Sequence, residues 1–68
     1  MGTLRRLSFF QEGVLERLRA RGFPELADRA RDAWIQGQRV ETPEELRLGG
    51  PVLLRDFEWA NEQSAAAE

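Results

Sequence analysis

Residues 7–24, LSFFQEGVLERLRARGFP, decide how the chain folds. Ser8-Phe9-Phe10-Gln11 has the form of a capping box, in which a hydroxyl and, three residues on, an amide each satisfy an orphan backbone N–H at a helix start. Leu7, Phe10, Val14 and Leu18 recur at three- and four-residue intervals with Leu15 beside them. That spacing makes one apolar stripe and leaves Glu12, Glu16 and Arg19 outward, so it predicts a helix to about Arg21. Gly13 interrupts the stripe at a cost of about 1 kcal/mol relative to Ala. It marks either a close approach by another backbone or a helix that begins later, with Leu4–Phe10 extended. Gly22 is placed to close the helix in a left-handed conformation, and Pro24 suits the first turn of the next. A helical hairpin follows.

The second helix of that hairpin is expected from Pro24 to about Gln36, with Leu26, Ala30, Ala33 and Trp34 on its inner face. The two alanines admit a neighbouring helix closely. Gln36-Gly37-Gln38 breaks the pattern. Thr42-Pro43-Glu44-Glu45 then reads as a second capping box, with Thr42 as the cap and Pro at the first helical position. Gly49-Gly50-Pro51 stops that short helix after Leu48. A last helix from Pro51 to about Gln63 buries Leu53, Leu54, Phe57 and Ala60, and puts Val52 and Trp59, seven residues apart, together on a different face. A competing reading takes Val52–Trp59 as a strand paired with Leu4–Phe10 or Arg39–Glu41. Strict alternation fails there, because Val52, Leu53 and Leu54 are consecutive and Arg55 falls on the face of Phe57 and Trp59. The expected fold is all-α, a small bundle of three to four short helices in a single domain spanning 1–63, with a frayed tail at 64–68. The alternative is a small α+β fold with a minor hairpin.

A chain of 68 residues can build one core and buries only about 60% of its unfolded surface. Apolar residues make up 41% of it, with four Phe and two Trp, which is too rich in large side chains for intrinsic disorder. Domains this small balance burial against chain entropy almost evenly and draw on a metal, disulfides, unusually good packing or self-association. There is no Cys and no His, so disulfides and zinc sites of the usual ligand types are excluded, no cofactor is expected, and of the two supplements left self-association is the one expected. No run approaches the roughly 20 apolar residues of a membrane span, and the N-terminus lacks the apolar core of a signal peptide. A cytoplasmic protein without a membrane partner is the expectation. All ten cations are Arg, a bias that fits a small bacterial protein from a GC-rich genome or a heat-adapted host.

Catalysis has little to work with, since His, Cys, Lys and Tyr are all missing. Glu44 and Glu45 are adjacent, but neighbouring helix positions point about 100° apart and do not face each other. They read as first-turn acids that complement the helix dipole. Ser8 and Thr42 read as caps with no base to activate them. No phosphate loop, dinucleotide fingerprint or calcium loop is present. The chain is read as no enzyme and as having no small-molecule substrate.

Charge is uneven: +3 over residues 1–22, −1 over 23–37 and −4 over 38–68, for a total of −2. Arg5, Arg6, Arg17, Arg19 and Arg21 form the basic region, and gathered on one side they would suit phosphate contacts. This supports an alternative reading as a small nucleic-acid-binding regulator or antitoxin-like protein. A helix-turn-helix version would use Pro51–Gln63 as the recognition helix, which carries Arg55 against Asp56, Glu58 and Glu62. Three carboxylates near phosphates are repelled. The leading reading is a non-catalytic protein–protein interaction or accessory module that forms a homo-oligomer or docks on a larger protein. Phe9 lies about 100° from the centre of the first stripe, and Trp59 with Val52 lies off the core face of the last helix. These three are the candidate partner-binding residues.

Overall fold

Helix α1, Phe9–Ala20, starts where the capping box places it. The Ser8 hydroxyl accepts from the Gln11 backbone N–H at 3.1 Å, and the Gln11 side-chain oxygen accepts from the Ser8 N–H at 3.1 Å. The other end closes on Gly22, whose φ of 91° is the left-handed conformation that glycine adopts without a Cβ penalty. The Phe23 N–H bonds back to the Leu18 carbonyl at 2.8 Å and the Gly22 N–H to Arg19 at 3.2 Å, the paired bonds of a Schellman cap. Helix α2, Pro24–Ile35, ends the same way. Gly37, at φ 75°, lets Gln38 N–H reach the Ala33 carbonyl at 2.9 Å while its own N–H reaches Trp34 at 3.0 Å.

The computed structural model describes residues 6–66. It shows a small all-α bundle, and no strand occurs among those residues. Val52–Trp59, the segment offered as a strand, is helical throughout and belongs to α3, Pro51–Ala66. Leu4 and Arg5 lie outside the described residues. Helices α1 and α3 run antiparallel, as the contacts of Ser8 with Gln63, Gln11 with Ala60 and Arg17 with Asp56 show. Helix α2 packs on both. No helix among the described residues is long and apolar enough to cross a membrane.

The core is built from Val14, Leu15 and Leu18 of α1, Leu26, Ala27, Ala30 and Trp34 of α2, and Leu53, Phe57 and Ala60 of α3, closed by Leu46. Each fully buried large aliphatic or aromatic side chain here contributes on the order of 1.5–3 kcal/mol. Trp34 and Phe57 meet at its centre with ring centroids 5.7 Å apart. Ala27 and Ala30 have no exposed surface, which lets α2 lie close to its neighbours; Ala33 is only half-buried.

Three expectations are corrected. Thr42 caps nothing: the short element is a 3-10 helix, Glu44–Gly49, preceded by an extended Pro43 at ψ 151°, and its start has no side-chain cap. The six residues between Pro43 and Gly50 serve to deliver Leu46 to the core, and 3-10 geometry is common in pieces this short. Gly13 makes no close approach, since a Cβ there would meet nothing within 4 Å. Finally, α3 does not stop at Gln63. It continues to Ala66, and Ser64 is buried rather than frayed because its hydroxyl accepts from the Gln11 amide at 2.9 Å.

Candidate interaction surface

The buried polar groups sort the structural residues from the available ones. Gln11, Asp56, Asn61 and Ser64 are the buried polar or charged residues. The Asn61 Oδ1 accepts from the Trp34 indole N–H and from the Val40 N–H, both at 2.8 Å, and its Nδ2 donates to the Val40 carbonyl at 2.6 Å. This amide therefore holds the 36–43 connection onto the helices as a strand partner would. Gln11 donates to the Ala60 carbonyl and to Ser64, both at 2.9 Å, and Ser64 donates in turn to the Trp34 carbonyl at 3.4 Å. No buried side-chain nitrogen or oxygen among the described residues lacks a partner. A polar group kept unpaired for chemistry is therefore not found there. Sequence reasoning missed Asn61 and gave Gln11 only its capping role. The signal was present: Asn61 sits in register with Leu53, Phe57, Ala60 and Ser64, on the buried face of α3.

Potential chemical sites are equally sparse. No cluster of metal-ligating side chains occurs among the described residues. A hollow of about 480 Å³ lies between the α1–α2 turn and the 3-10 helix, with Phe23, Pro24, Pro43 and Glu45 on its walls. Another of about 500 Å³ lies beside Arg39, Thr42, Glu58 and Glu62. Both are open and surface-lying, and the second is ringed by exposed charged side chains of which Arg39 and Glu62 pair with each other at 3.3 Å.

The arginines are not gathered on one side. Arg17 bonds Asp56 of α3 at 2.9 Å, whereas Arg19 bonds Asp28 of α2 at 3.3 Å. Two residues apart on a helix, they point about 200° apart and toward different neighbours. Asp56 of α3 and Asp28 of α2 thus each answer one arginine of the basic region. Arg6 and Arg21 are exposed. Arg5 lies outside the described residues.

What the core leaves over is apolar. Phe9 is 95% exposed, Trp59 59% and Val52 56%, and Leu48 is exposed as well. Val52 and Trp59 lie on the side of α3 turned toward α1, where Trp59 packs against Phe10 with ring centroids 5.1 Å apart and planes inclined by 55°. That contact covers part of Trp59 and joins it to the N-terminal end of α1. Phe9, next in sequence, projects from the first turn beside Arg6, Leu7 and Glu12. Leu48 lies at the opposite end of α1, near Arg21 and Phe23. The α1–α3 edge therefore carries Phe10, Trp59 and Val52, and Phe9 stands next to it on the outward face of α1, with Gly13 exposed one turn further on. Comparison with protein-family models, curated proteins and solved structures finds no match, so the functional reading rests on this geometry.

Proposed function

We propose that this protein is a non-catalytic interaction module that self-associates through the α1–α3 edge. The observation carrying the reading is the exposure of Phe9, Trp59 and Val52 beside a core that is already closed without them. Rigid aromatic side chains that stay in solvent are the usual anchors of protein interfaces. Phe9 and Trp59 together present on the order of 300 Å² to solvent. A chain with neither Cys nor His has no staple to compensate for its small core, and burial against a second copy supplies one. The alternative, nucleic-acid binding through the N-terminal arginines, loses support because Arg17 and Arg19 point to opposite sides of α1, toward Asp56 and Asp28, and form no single basic face. A gel shift with mixed-sequence DNA is expected to show no complex at moderate salt.

Thermal unfolding at several protein concentrations tests the proposal. The melting temperature is expected to rise with concentration, and Trp59→Ala is expected to abolish that rise while leaving the helical signal at low temperature intact. A melting temperature independent of concentration removes self-association.

A further inference from the structure

The outward face of α1 is built unevenly, and the unevenness specifies how a second copy would sit on it. Phe9, Gly13, Glu16 and Ala20 follow one another at intervals of four, three and four residues, and all four are exposed. One end of this stripe is a bare aromatic ring; the rest is a missing side chain, an acid and a methyl. Flanking it on the α3 side are Phe10 and Arg17, which touch Trp59 and Asp56. On the α2 side lie Glu12 and Arg19, the latter bonded to Asp28. Glu12 thus stands at the aromatic end of α1, beside Arg6, and Arg17 and Arg19 stand at the end with small side chains.

Resting on the self-association just proposed, we infer that two copies pair their α1 helices antiparallel about a two-fold axis passing between Gly13 and Glu16. In that arrangement Phe9 of each copy lies over Ala20 of the other, and Glu16 lies over the gap at Gly13. Like flanks face each other across such an axis, so Glu12 meets the second copy's Arg19, and Phe10 with its stacked Trp59 meets the second copy's Arg17. The first contact pairs opposite charges and the second sets a guanidinium against aromatic rings. The helix dipoles oppose as well. A parallel pairing sets Phe9 on Phe9 and brings unlike flanks face to face, Glu12 against the second copy's Phe10 and Arg19 against its Arg17, which leaves the small end unfilled and sets like charges together at the basic end. The patch is smaller than the roughly 800 Å² per partner of a standard interface, so this dimer dissociates readily.

The natural absence of cysteine makes disulfide trapping a clean test, using single substitutions in the full chain and a copper–phenanthroline oxidant. Glu16→Cys offsets the two substituted positions by about 4.5 Å along the helix direction, the smaller offset of the two and the one suited to a disulfide, and is expected to double the mass on a non-reducing gel. Ala20→Cys places them about 16.5 Å apart and is expected to remain single. A mixture of Phe9→Cys and Ala20→Cys is expected to give the mixed disulfide in preference to either homodimer. Ready self-linking of Ala20→Cys, or no linking of Glu16→Cys in a protein that sediments as a dimer, overturns the antiparallel arrangement while leaving self-association standing. A monomer in sedimentation at high micromolar concentration overturns both.

Discussion

Replacing Asn61 by Ala removes a side chain that is 8% exposed and makes three hydrogen bonds, two of them accepted by one oxygen. The main loss is at Trp34, which is 1% exposed: its indole N–H loses its acceptor, and an orphaned buried donor costs about 1–3 kcal/mol. The Val40 backbone groups are half-buried and regain part of their bonding from solvent, so they add less. A total near 3 kcal/mol follows. A domain of this length holds about 3–10 kcal/mol of stability, so the substitution removes a large share of it. The expected fall in melting temperature is about 12–24 °C, read from the circular dichroism at 222 nm at one low protein concentration. Trp34→Phe, introduced into the Asn61→Ala background, is expected to cost less than in the unmodified chain, because the orphaned donor leaves with it. A fall below about 4 °C for Asn61→Ala, or full additivity of the two substitutions, would mean that the Asn61–Trp34 bond does not hold the core.

Three further substitutions bear on the frame. Gly22→Val forces a β-branched residue to φ 91° and is expected to destabilise by about 1 kcal/mol or more, measured by urea unfolding. Gly13→Ala has the opposite sign: the added methyl meets nothing within 4 Å and the helix gains up to about 1 kcal/mol, seen as a higher urea midpoint at low concentration. Ser64→Ala takes the acceptor from a buried Gln11 N–H and is expected to cost about 1 kcal/mol in the same assay; no effect would restore the reading of 64–68 as a loose tail.

Most of the frame is legible in the sequence because it is local. The Ser8–Gln11 box, Gly22 with Pro24 and the stripe from Val14 to Leu18 are each fixed by residues within one or two turns, and each is found where the spacing puts it. Thr42-Pro43-Glu44-Glu45 has an equally good local pattern and fails. What decides that segment is long-range: Asn61 ties the preceding backbone at Val40, and Leu46 must reach a core built by three other elements. Ser64 escaped for a related reason, since its partner Gln11 is 53 residues away and a run of small residues carries no periodicity of its own. The arginines illustrate the limit on the functional side. Composition gathers Arg17 and Arg19 into one basic cluster, whereas the helix turn sends them to opposite neighbours. Phe9, Val52 and Trp59 were picked out by helical phase alone, and phase also places them outside the core; the contact between Trp59 and Phe10 required the antiparallel packing of α1 on α3.

Sedimentation velocity of the unmodified chain beside Trp59→Ala, from low to high micromolar concentration, reads self-association through the α1–α3 edge. The weight-average sedimentation coefficient is expected to climb from monomer toward dimer for the unmodified chain and to stay at monomer for the variant. A monomer for both at the highest concentration contradicts it, and so does an equal climb for both, which would place the contact away from the α1–α3 edge.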